Sequence, residues 1–573
     1  MNMYAYQEQL PKLPLPPLDQ TCDKLLDWSR IFLSSGEFLR TQQAVDHFRS
    51  PKGSGTFLQE HLKNLTEDPG IQNWLETLWA ESYLRNPAGL PLGSNVAYLL
   101  EKPPGTQAMP LAKYLTGLIT TLFDFNLLIL NESLDIDYQG STPLCMSQYK
   151  TLFSTTRLPG ELEDAYVTQP EASHIILIHQ GHYYRLDLLD NSSQRVTPAA
   201  LLKSIQLILH TPKKVNTLSI GSLTTLPRKE WARHRDHLAA LSTENAQGLR
   251  QIETALAVFV VDEPYPPDES LQFKELLVGP SWNRWYDKSL QFILSESGPW
   301  GINYEHSGVD GTTLGHMIGY LFRQMTPFDN SAAGEPLPLH EITFVLDDGL
   351  HTAIQRAADA IRKAGSRLSL NVISFDVFGK DHIKRLGVSP DSFVQIGLQL
   401  AQQRTFHQVF NAYESVMTKQ FLGGRTETMR PVTRESLAFV KTPTYQRLQA
   451  ASLQHVARIN ECKNGQGIDR HLYALKKIHE KKCSGEALPA LFSSPGYQAV
   501  TANTFSTSTS NVTGMRYAGY APSLPDGFAF RYQFSPHRLH FFLSCYDHRA
   551  EDLKHLQTNL LLSLEEMGQF ANR

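Results

Sequence analysis

Residues 301–317 read GINYEHSGVDGTTLGHM, and the rest of the chain is best interpreted outward from this stretch. It places a histidine, His306, four residues before an aspartate, Asp310, with glycines on both sides. Residues 285–307 predict a strand, a Gly/Pro turn and a second strand, so His306 lies at a strand exit, where a side chain is held rigidly. Histidine titrates near neutral pH and can take and return a proton, which makes His306 a candidate general base.

Length and composition limit the classes of protein. A chain of 573 residues exceeds one hydrophobic core and predicts two large domains or more. Hydrophobic residues at 41% and charged residues at 19% are typical of a globular protein, and a net charge of -4 gives no electrostatic footprint for nucleic acid. The five cysteines are few, odd in number and widely spaced, which argues against a disulfide framework or a zinc site and for a reducing compartment.

The sequence also predicts where the protein resides. Its first residues lack the apolar core of a signal peptide and the arginine-rich character of a transit peptide. The longest apolar run, 116–130, is interrupted by Asp124 and Asn126, so no transmembrane segment is predicted. A cytoplasmic location and a monomeric state are the expectations.

Hydrophobic periodicity predicts helices and strands along the whole chain, after a proline-rich extended arm at 10–18. The amphipathic helix that follows 389 is expected to run to about 415, capped by Ser389 or Asp391. Mixed helices and strands without strict alternation predict two α/β layers, with sheets covered by helices. The other predicted elements are helices at 19–48, 55–85, 112–132, 350–365 and 548–570, a helical stretch at 441–482 broken at 464–467, hairpins at 174–188 and 528–546, strands at 256–262 and 368–378, and a basic turn at 379–385.

Seven separated segments carry one resemblance: WNRWYDKSLQFI at 282–293, YEHSGVDG at 304–311, SPDSFVQIGLQLA at 389–401, AYES at 412–415, GRTETMR at 424–430, IDRHL at 468–472 and FSTST at 505–509. Together they resemble the choline/carnitine acyltransferase family, and the resemblance covers nearly the whole chain, in order. The spacing His-x-x-x-Asp-Gly is also the signature of coenzyme A-dependent acyltransferases of the chloramphenicol acetyltransferase type.

The resemblance implies a fold and an activity. The fold is α/β, with two chloramphenicol acetyltransferase-like domains, mixed sheets covered by helices, and an active-site tunnel at the domain interface. One domain spans 69–348 and carries the catalytic histidine; the other combines 1–68 with 349–573 and carries the coenzyme A, carnitine-carboxylate and Ser-Thr-Ser segments. The implied reaction moves an acyl group between coenzyme A, a cosubstrate, and the hydroxyl of carnitine, with no permanently bound cofactor.

By the same resemblance, His306 is the general base and Ser508 donates a hydrogen bond to the developing oxyanion. Coenzyme A carries phosphates and needs positive charge. Lys380 and Lys384 match the family's contacts, and Asp391 closes that segment. Thr509 stands where the family often has glutamine, and Val456 replaces a family arginine, so two expected contacts differ in this chain.

The choice of acceptor depends on a set of polar residues. Tyr413, Thr426 and Arg470 match the family's carboxylate-binding set, with Ser415 nearby. Choline lacks a carboxylate and would leave the Arg470 charge unpaired, so carnitine is preferred. A choline O-acetyltransferase-like enzyme is the alternative. A non-catalytic acyl-CoA-binding protein is a third possibility, against which the intact His306 argues.

Two further positions carry predictions. Asp310 either orients the imidazole or is held by an arginine and keeps the loop in place; we favour the structural role, with Arg284 as a candidate partner. Ala518 stands ten residues after Ser508, where short-chain members of the family have methionine and longer-chain members have glycine. The smaller side chain predicts acyl groups of medium or greater length.

Overall fold

The computed structural model describes residues 2–296, 300–327 and 335–570. Short 3₁₀ helices lie at Gln7–Gln9, Arg30–Phe32, Ser147–Thr151, Ile220–Thr225, Ser281–Asn283, Ala490–Ser493 and Asp547–Arg549. The α-helices are α1 (Leu18–Ser29), α2 (Ser35–Arg49), α3 (Ser54–Glu67), α4 (Glu76–Leu84), α5 (Leu90–Gly93), α6 (Leu111–Leu130), α7 (Pro198–His210), α8 (Arg228–Leu241), α9 (Thr243–Thr254), α10 (Glu269–Leu277), α11 (Gly311–Gln324), α12 (Asp348–Ser366), α13 (Lys380–Arg385), α14 (Pro390–Phe406), α15 (Arg434–Lys441), α16 (Tyr445–Lys463), α17 (Asp469–Lys482), α18 (Pro495–Thr501) and α19 (Ala550–Gly568).

The strands form two large sheets and two small ones. Their bounds are β1 (Val96–Leu100), β2 (Tyr138–Gln139), β3 (Thr142–Pro143), β4 (Thr155–Leu158), β5 (Ala165–Thr168), β6 (His174–His179), β7 (His182–Asp187), β8 (Val258–Asp262), β9 (Leu290–Ser295), β10 (Trp300–Tyr304), β11 (His340–Ile342), β12 (Leu368–Phe375), β13 (Ala412–Met417), β14 (Thr426–Met429), β15 (Phe505–Thr509), β16 (Met515–Gly519), β17 (Phe528–Phe534) and β18 (Leu539–Tyr546).

The first large sheet has the strand order β11-β7-β6-β8-β9-β10-β1-β16, and the second has the order β12-β18-β17-β15-β13-β14. Both are mixed: β8 runs parallel to β6 and β9, and β15 runs parallel to β13 and β17. Hydrophobic clusters cover both faces of the first sheet, and α14 and α19 cover one face of the second. Two mixed sheets covered by helices confirm the predicted fold class.

Sheet membership bears on the predicted domains. All strands of the first sheet lie between residues 96 and 342, except β16, which comes from the C-terminal part of the chain and pairs with β1. The predicted limits 69–348 stay a prediction, and they leave β16 on the other side of the boundary from its sheet.

Helix α14 differs from its prediction at both ends. Ser389 is the N-cap residue but makes no side-chain capping bond, and the carboxylate of Asp391 accepts hydrogen bonds from Tyr532 and His455 instead. The helix ends at Phe406 because His407 is left-handed, with φ 55°, and residues 412–417 form β13. Residues 392–402 are all buried, so the helix is not amphipathic.

Two other predicted elements are the basic turn at 379–385 and the hairpin that precedes His306. The basic segment 379–385 contains a short helix, α13, rather than a turn. The hairpin predicted around His306 is present as β9 and β10, which pair in antiparallel register, but its turn residues 297–299 lie outside the described residues.

Helix α6 is long and apolar enough to cross a membrane by length and composition, alone among the helices of the described ranges. Of its most apolar window, 61% is buried inside the protein. Its residues Leu115, Leu118, Ile119 and Leu122 are fully buried in the cluster that covers the first sheet. Burial in that cluster makes α6 a core helix of this fold.

Candidate active site

A cavity of about 270 Å³ lies where the two large sheets meet. Its volume is near the lower end of the range for small-molecule sites. Residues from both parts of the chain line it, among them Tyr83, Asn95 and His306 on one side and Tyr413, Ser415, Ser506, Ser508, Tyr520 and Arg531 on the other. A larger cavity, about 810 Å³, lies between α10 and α12 and contains none of the predicted site residues.

His306 follows β10 by two residues and keeps part of its ring exposed to the cavity. Its Nδ1 lies 2.8 Å from the carbonyl oxygen of Val309. A carbonyl can only accept, so Nδ1 carries the proton and donates it, and Nε2 keeps a free lone pair. Burial lowers the pKa of His306 from the usual 6.5, and this effect outweighs the opposing effect of Asp310. The imidazole is therefore neutral at pH 7 and suited to accept a proton.

Asp310 is held from the other half of the chain. Its Oδ2 accepts hydrogen bonds from Nε of Arg425 and from the amide of Gln148, each at 2.7 Å, and its Oδ1 accepts from Nη2 of Arg425 at 2.9 Å. Arg425 also donates to the carbonyl oxygens of Ser307 at 2.6 Å and His306 at 3.3 Å. These contacts fix the loop that carries the histidine, in keeping with the structural role preferred for Asp310.

The candidate partner Arg284 is wrong. Arg284 is buried and pairs with Asp262, with Nη1 2.7 Å from Oδ1 and Nη2 2.6 Å from Oδ2. The actual partner, Arg425, stands in the segment GRTETMR, directly before Thr426. The segment was matched to the family, but nothing in the spacing connects this arginine to residue 310.

We predict that Asp310→Asn lowers the free energy of unfolding by about 3 kcal/mol, because the substitution leaves the buried Arg425 charge without its acid. Urea unfolding of the variant and the wild type measures the difference. Asp359→Asn is the matched control, since it disrupts the exposed pair with Arg362 and should change stability little. A loss below 1 kcal/mol for Asp310→Asn would contradict the structural role.

The same prediction has a pH dependence. Burial alone would raise the pKa of Asp310, but Arg425 and Gln148 lower it from 3.8 to about 2. A lowered pKa contributes stability that is fully present above the unfolded-state value, about 3.9, and is lost as the pH falls toward 2. The difference between the variant and the wild type should therefore be constant from pH 7 to pH 5.

Ser508 reaches the cavity because side chains alternate along the strands of the second sheet. In β15, Phe505 and Thr507 are buried on the side of α14, while Ser506 and Ser508 line the cavity. No described residue is hydrogen-bonded to the Ser508 hydroxyl, so it is available to donate. The structure thus places Ser508 and His306 on the same cavity, from different sheets.

The predicted carboxylate-binding residues come together. Nη2 of Arg470 lies 3.2 Å from the hydroxyl of Tyr413 and 3.5 Å from that of Thr426. The guanidinium stacks on Trp79, 3.6 Å from the ring centroid. Ser415 follows Tyr413 on the same face of β13 and also lines the cavity. The sequence analysis missed Trp79, whose only signal is its position in a predicted helix.

The predicted coenzyme A residues fall into two places. Lys380 and Lys384 lie one turn apart on α13, with Lys384 exposed, and no carboxylate of the described residues pairs with either. Asp391 lies inside, where its Oδ1 accepts from the Tyr532 hydroxyl at 2.7 Å. The Thr509 hydroxyl donates to the Tyr532 carbonyl at 3.0 Å. Lys380 and Lys384 thus share one short helix, and Asp391 and Thr509 flank one tyrosine. Their contacts with coenzyme A stay predictions.

Two groups of side chains place possible metal-ligand atoms within 4.8 Å of one another: Asp391, Glu414 and His455, and His479, Cys483 and Glu486. In the first group, Asp391 already accepts a hydrogen bond from His455 at 3.0 Å. Burial and the neighbouring Asp391 raise the pKa of Glu414 well above its usual 4.5, which weakens this acid as a metal ligand. The absence of a metal stays a prediction.

Ala518 lies on β16 opposite Tyr98 of β1 and is 4% exposed. It lines a cavity of about 10 Å³ together with Arg531, and Arg531 also lines the larger cavity with His306. Arg531 thus lines both the small cavity beside Ala518 and the candidate site.

A histidine with a free Nε2 and a serine hydroxyl that face one cavity between two mixed sheets can serve as the base and the hydrogen-bond donor of an acyltransferase. The model of the family described as choline/carnitine O-acyltransferase matches residues 13–561, and the chain belongs to this family.

Curated relatives cover nearly the whole chain. A carnitine O-acetyltransferase from Columba livia is 30% identical, over 99% of this chain and 94% of the relative. The mitochondrial carnitine O-palmitoyltransferase 2 from Rattus norvegicus is 29% identical, over 92% of this chain and 87% of the relative. A choline O-acetyltransferase from Homo sapiens is 30% identical, over 94% of this chain and 76% of the relative. These similarities support carnitine or choline acyltransferase activity.

Proposed function

We propose that this protein is a carnitine O-acyltransferase, which transfers an acyl group reversibly between coenzyme A and the hydroxyl of L-carnitine. The observation that supports this acceptor is the state of Arg470. Its guanidinium is buried beside two hydroxyls and an indole ring, and no described carboxylate forms an ion pair with it. The carboxylate of carnitine would complete this set, whereas choline would leave the charge unpaired.

The transfer is a single displacement at a thioester. The carnitine oxygen attacks the carbonyl carbon, so that a C–O bond forms and the C–S bond breaks. Nε2 of His306 takes the hydroxyl proton and returns it to the departing thiolate of coenzyme A. The Ser508 hydroxyl donates to the oxyanion, a contact worth roughly 3 kcal/mol in comparable sites.

Other side chains would hold the substrates. The cavity has three tyrosines, Tyr83, Tyr413 and Tyr520, whose rings suit a trimethylammonium group. Lys380 and Lys384 are the proposed phosphate contacts, and Asp391, Ser415 and Thr509 are the further proposed contacts. Ala518 leads us to expect acyl groups of medium or greater length.

A thiol-release assay tests this function. Carnitine and choline are offered side by side with acetyl-, octanoyl- and palmitoyl-CoA. We expect kcat/KM for carnitine to exceed that for choline by about 30-fold or more, as an unpaired buried charge predicts. Equal turnover of both acceptors would contradict the assignment of carnitine. A strong preference for acetyl-CoA would refute the chain length but leave the reaction intact.

A further inference from the structure

Arg531 lies in the cavity without a counter-ion. It is 7% exposed, and Nη2 donates to the hydroxyls of Tyr98 at 3.0 Å and Ser510 at 2.6 Å. Its Nε has no hydrogen-bond partner, and no described carboxylate forms an ion pair with its guanidinium. The aromatic neighbours stay neutral, since burial raises the pKa of Tyr304 well above 10 and that of Tyr520 to about 12. A desolvated positive charge thus faces the site unpaired.

The other buried arginines show how unusual this is. Four of them have a carboxylate partner within ion-pair distance: Arg157, Arg228, Arg284 and Arg430. Arg458 has none, but it donates to two backbone carbonyls at 2.8 Å and stacks on Trp28. Arg470 and Arg531 remain, and the proposed function gives Arg470 the carboxylate of carnitine. Arg531 lies over the Tyr98 ring, 5.1 Å from its centroid, but its Nε has no partner, so a second anion in the cavity would complete its contacts.

The position of Arg531 shows which part of the substrates would supply that anion. Arg531 is the register partner of Ser508 on the neighbouring strand, so the two side chains share one face of the sheet. Its Nη2 donates to the Tyr98 hydroxyl, and Arg531 lines the small cavity beside Ala518, where the family resemblance places the acyl chain. An apolar chain entering there would leave the charge unpaired.

A helix end supports the same conclusion. Nη2 of Arg531 lies 3.5 Å from the point where a side chain at Gly311 would begin. Gly311 is the first residue of α11, a helix of 14 residues whose N-cap, Asp310, makes no side-chain bond to the first turn. The Tyr98 hydroxyl lies 2.9 Å from the same point and fills the gap, but the positive end of the helix adds to the positive potential around the guanidinium, and both favour a nearby anion.

We propose that Arg531 binds a carboxylate at the far end of the acyl group, so that the preferred acyl donors are coenzyme A thioesters of dicarboxylic acids. The inference rests on the proposed acyl transfer from coenzyme A. Adjacent strands are ~4.8 Å apart, so about three or four methylene groups separate the thioester carbonyl from the carboxylate. This inference therefore replaces the medium or longer acyl group that Ala518 alone leads us to expect, because pairing with Arg531 ends the acyl chain there. The bonds made and broken are those of the proposed transfer, and the distal carboxylate is unchanged by it.

The test compares donors of equal length that differ only in the terminal group. Glutaryl-CoA is paired with pentanoyl-CoA, and adipyl-CoA with hexanoyl-CoA, each with carnitine as acceptor. In the wild type we expect kcat/KM to favour the dicarboxylic donor at one of these lengths by about 30-fold. Arg531→Met should abolish that preference, so that the two donors of each pair react with similar kcat/KM. Arg531→Lys, which keeps the charge, should give an intermediate ratio.

Binding without acceptor separates this inference from the proposed function. Calorimetry measures the affinities of glutaryl-CoA, pentanoyl-CoA and free coenzyme A for the wild type and Arg531→Met. Selective weakening of glutaryl-CoA, with no transfer to carnitine, would uphold the role of Arg531 and reject the carnitine reaction. A wild type that prefers the monocarboxylic donor at both lengths would overturn the inference. So would equal weakening of free coenzyme A, or a raised KM for carnitine with unchanged donor preference.

Discussion

Replacing His306 with alanine is expected to lower kcat about 10²–10⁴-fold, the range that a positioned general base contributes. The loss follows from the geometry, because Nδ1 is engaged with the Val309 carbonyl and Nε2 is left to accept the proton. Binding of acyl-CoA should be nearly intact, since the ring has no assigned contact with coenzyme A. Thiol release measures kcat, and calorimetry measures binding.

The control for this variant is His351→Ala, which removes an exposed histidine of α12 and should leave turnover unchanged. The wild-type kcat/KM should decline only below pH 6.5, because the lowered pKa of His306 keeps the imidazole neutral in weak acid. His306→Ala should lose this acid limb. Residual activity within tenfold of the wild type would mean that another group is the base, or that the protein is a silent binder.

Replacing Arg470 with methionine should reduce kcat/KM for carnitine by about 30-fold to 5,000-fold, as expected when one member of a buried, hydrogen-bonded charge pair is removed. Turnover of choline should change little, because choline has no carboxylate that could pair with Arg470. The measured quantity is the ratio of the two kcat/KM values. Because choline turnover changes little, the carnitine-to-choline ratio should fall by nearly the same factor as kcat/KM for carnitine.

Arg470→Lys supplies the matched control for charge. Lysine keeps the positive charge but cannot donate two parallel hydrogen bonds to a carboxylate, so an intermediate ratio is expected. Stacking on Trp79 would also be weakened in both variants, and thermal unfolding shows whether either is destabilised. An unchanged ratio in Arg470→Met would show that this arginine does not choose the acceptor.

Local sequence patterns predicted those helices and strands whose formation depends on residues close together in the chain. The hairpin β6–β7, the buried helix α6 and the strand exit before His306 follow from hydrophobic periodicity and turn residues. The end of α14 could not be found this way. A histidine in the left-handed conformation stops it, where the usual signal would be glycine.

Long-range pairing accounts for the other failures. The carboxylate of Asp310 pairs with Arg425, which is 115 residues further along the chain. Nothing in either segment of sequence distinguishes Arg425 from the other arginines. In the sequence, Arg531 is one position of a predicted strand. Only the sheet register and the cavity show that its side chain lines the site without a carboxylate partner among the described residues. Its role depends on what surrounds it in space, which spacing along the chain does not encode.

Strand β16 has a consequence for how this protein is made. A ribosome delivers β1 long before β16, on the order of tens of seconds at ordinary rates of synthesis. Until β16 is synthesised, the backbone N–H and C=O groups on the edge of β1 that pairs with it are unpaired and can pair with a strand of another chain. All five residues of β1 are buried in the folded protein. The nascent chain is therefore most prone to aggregation during this interval, and chaperone binding would have its largest effect then.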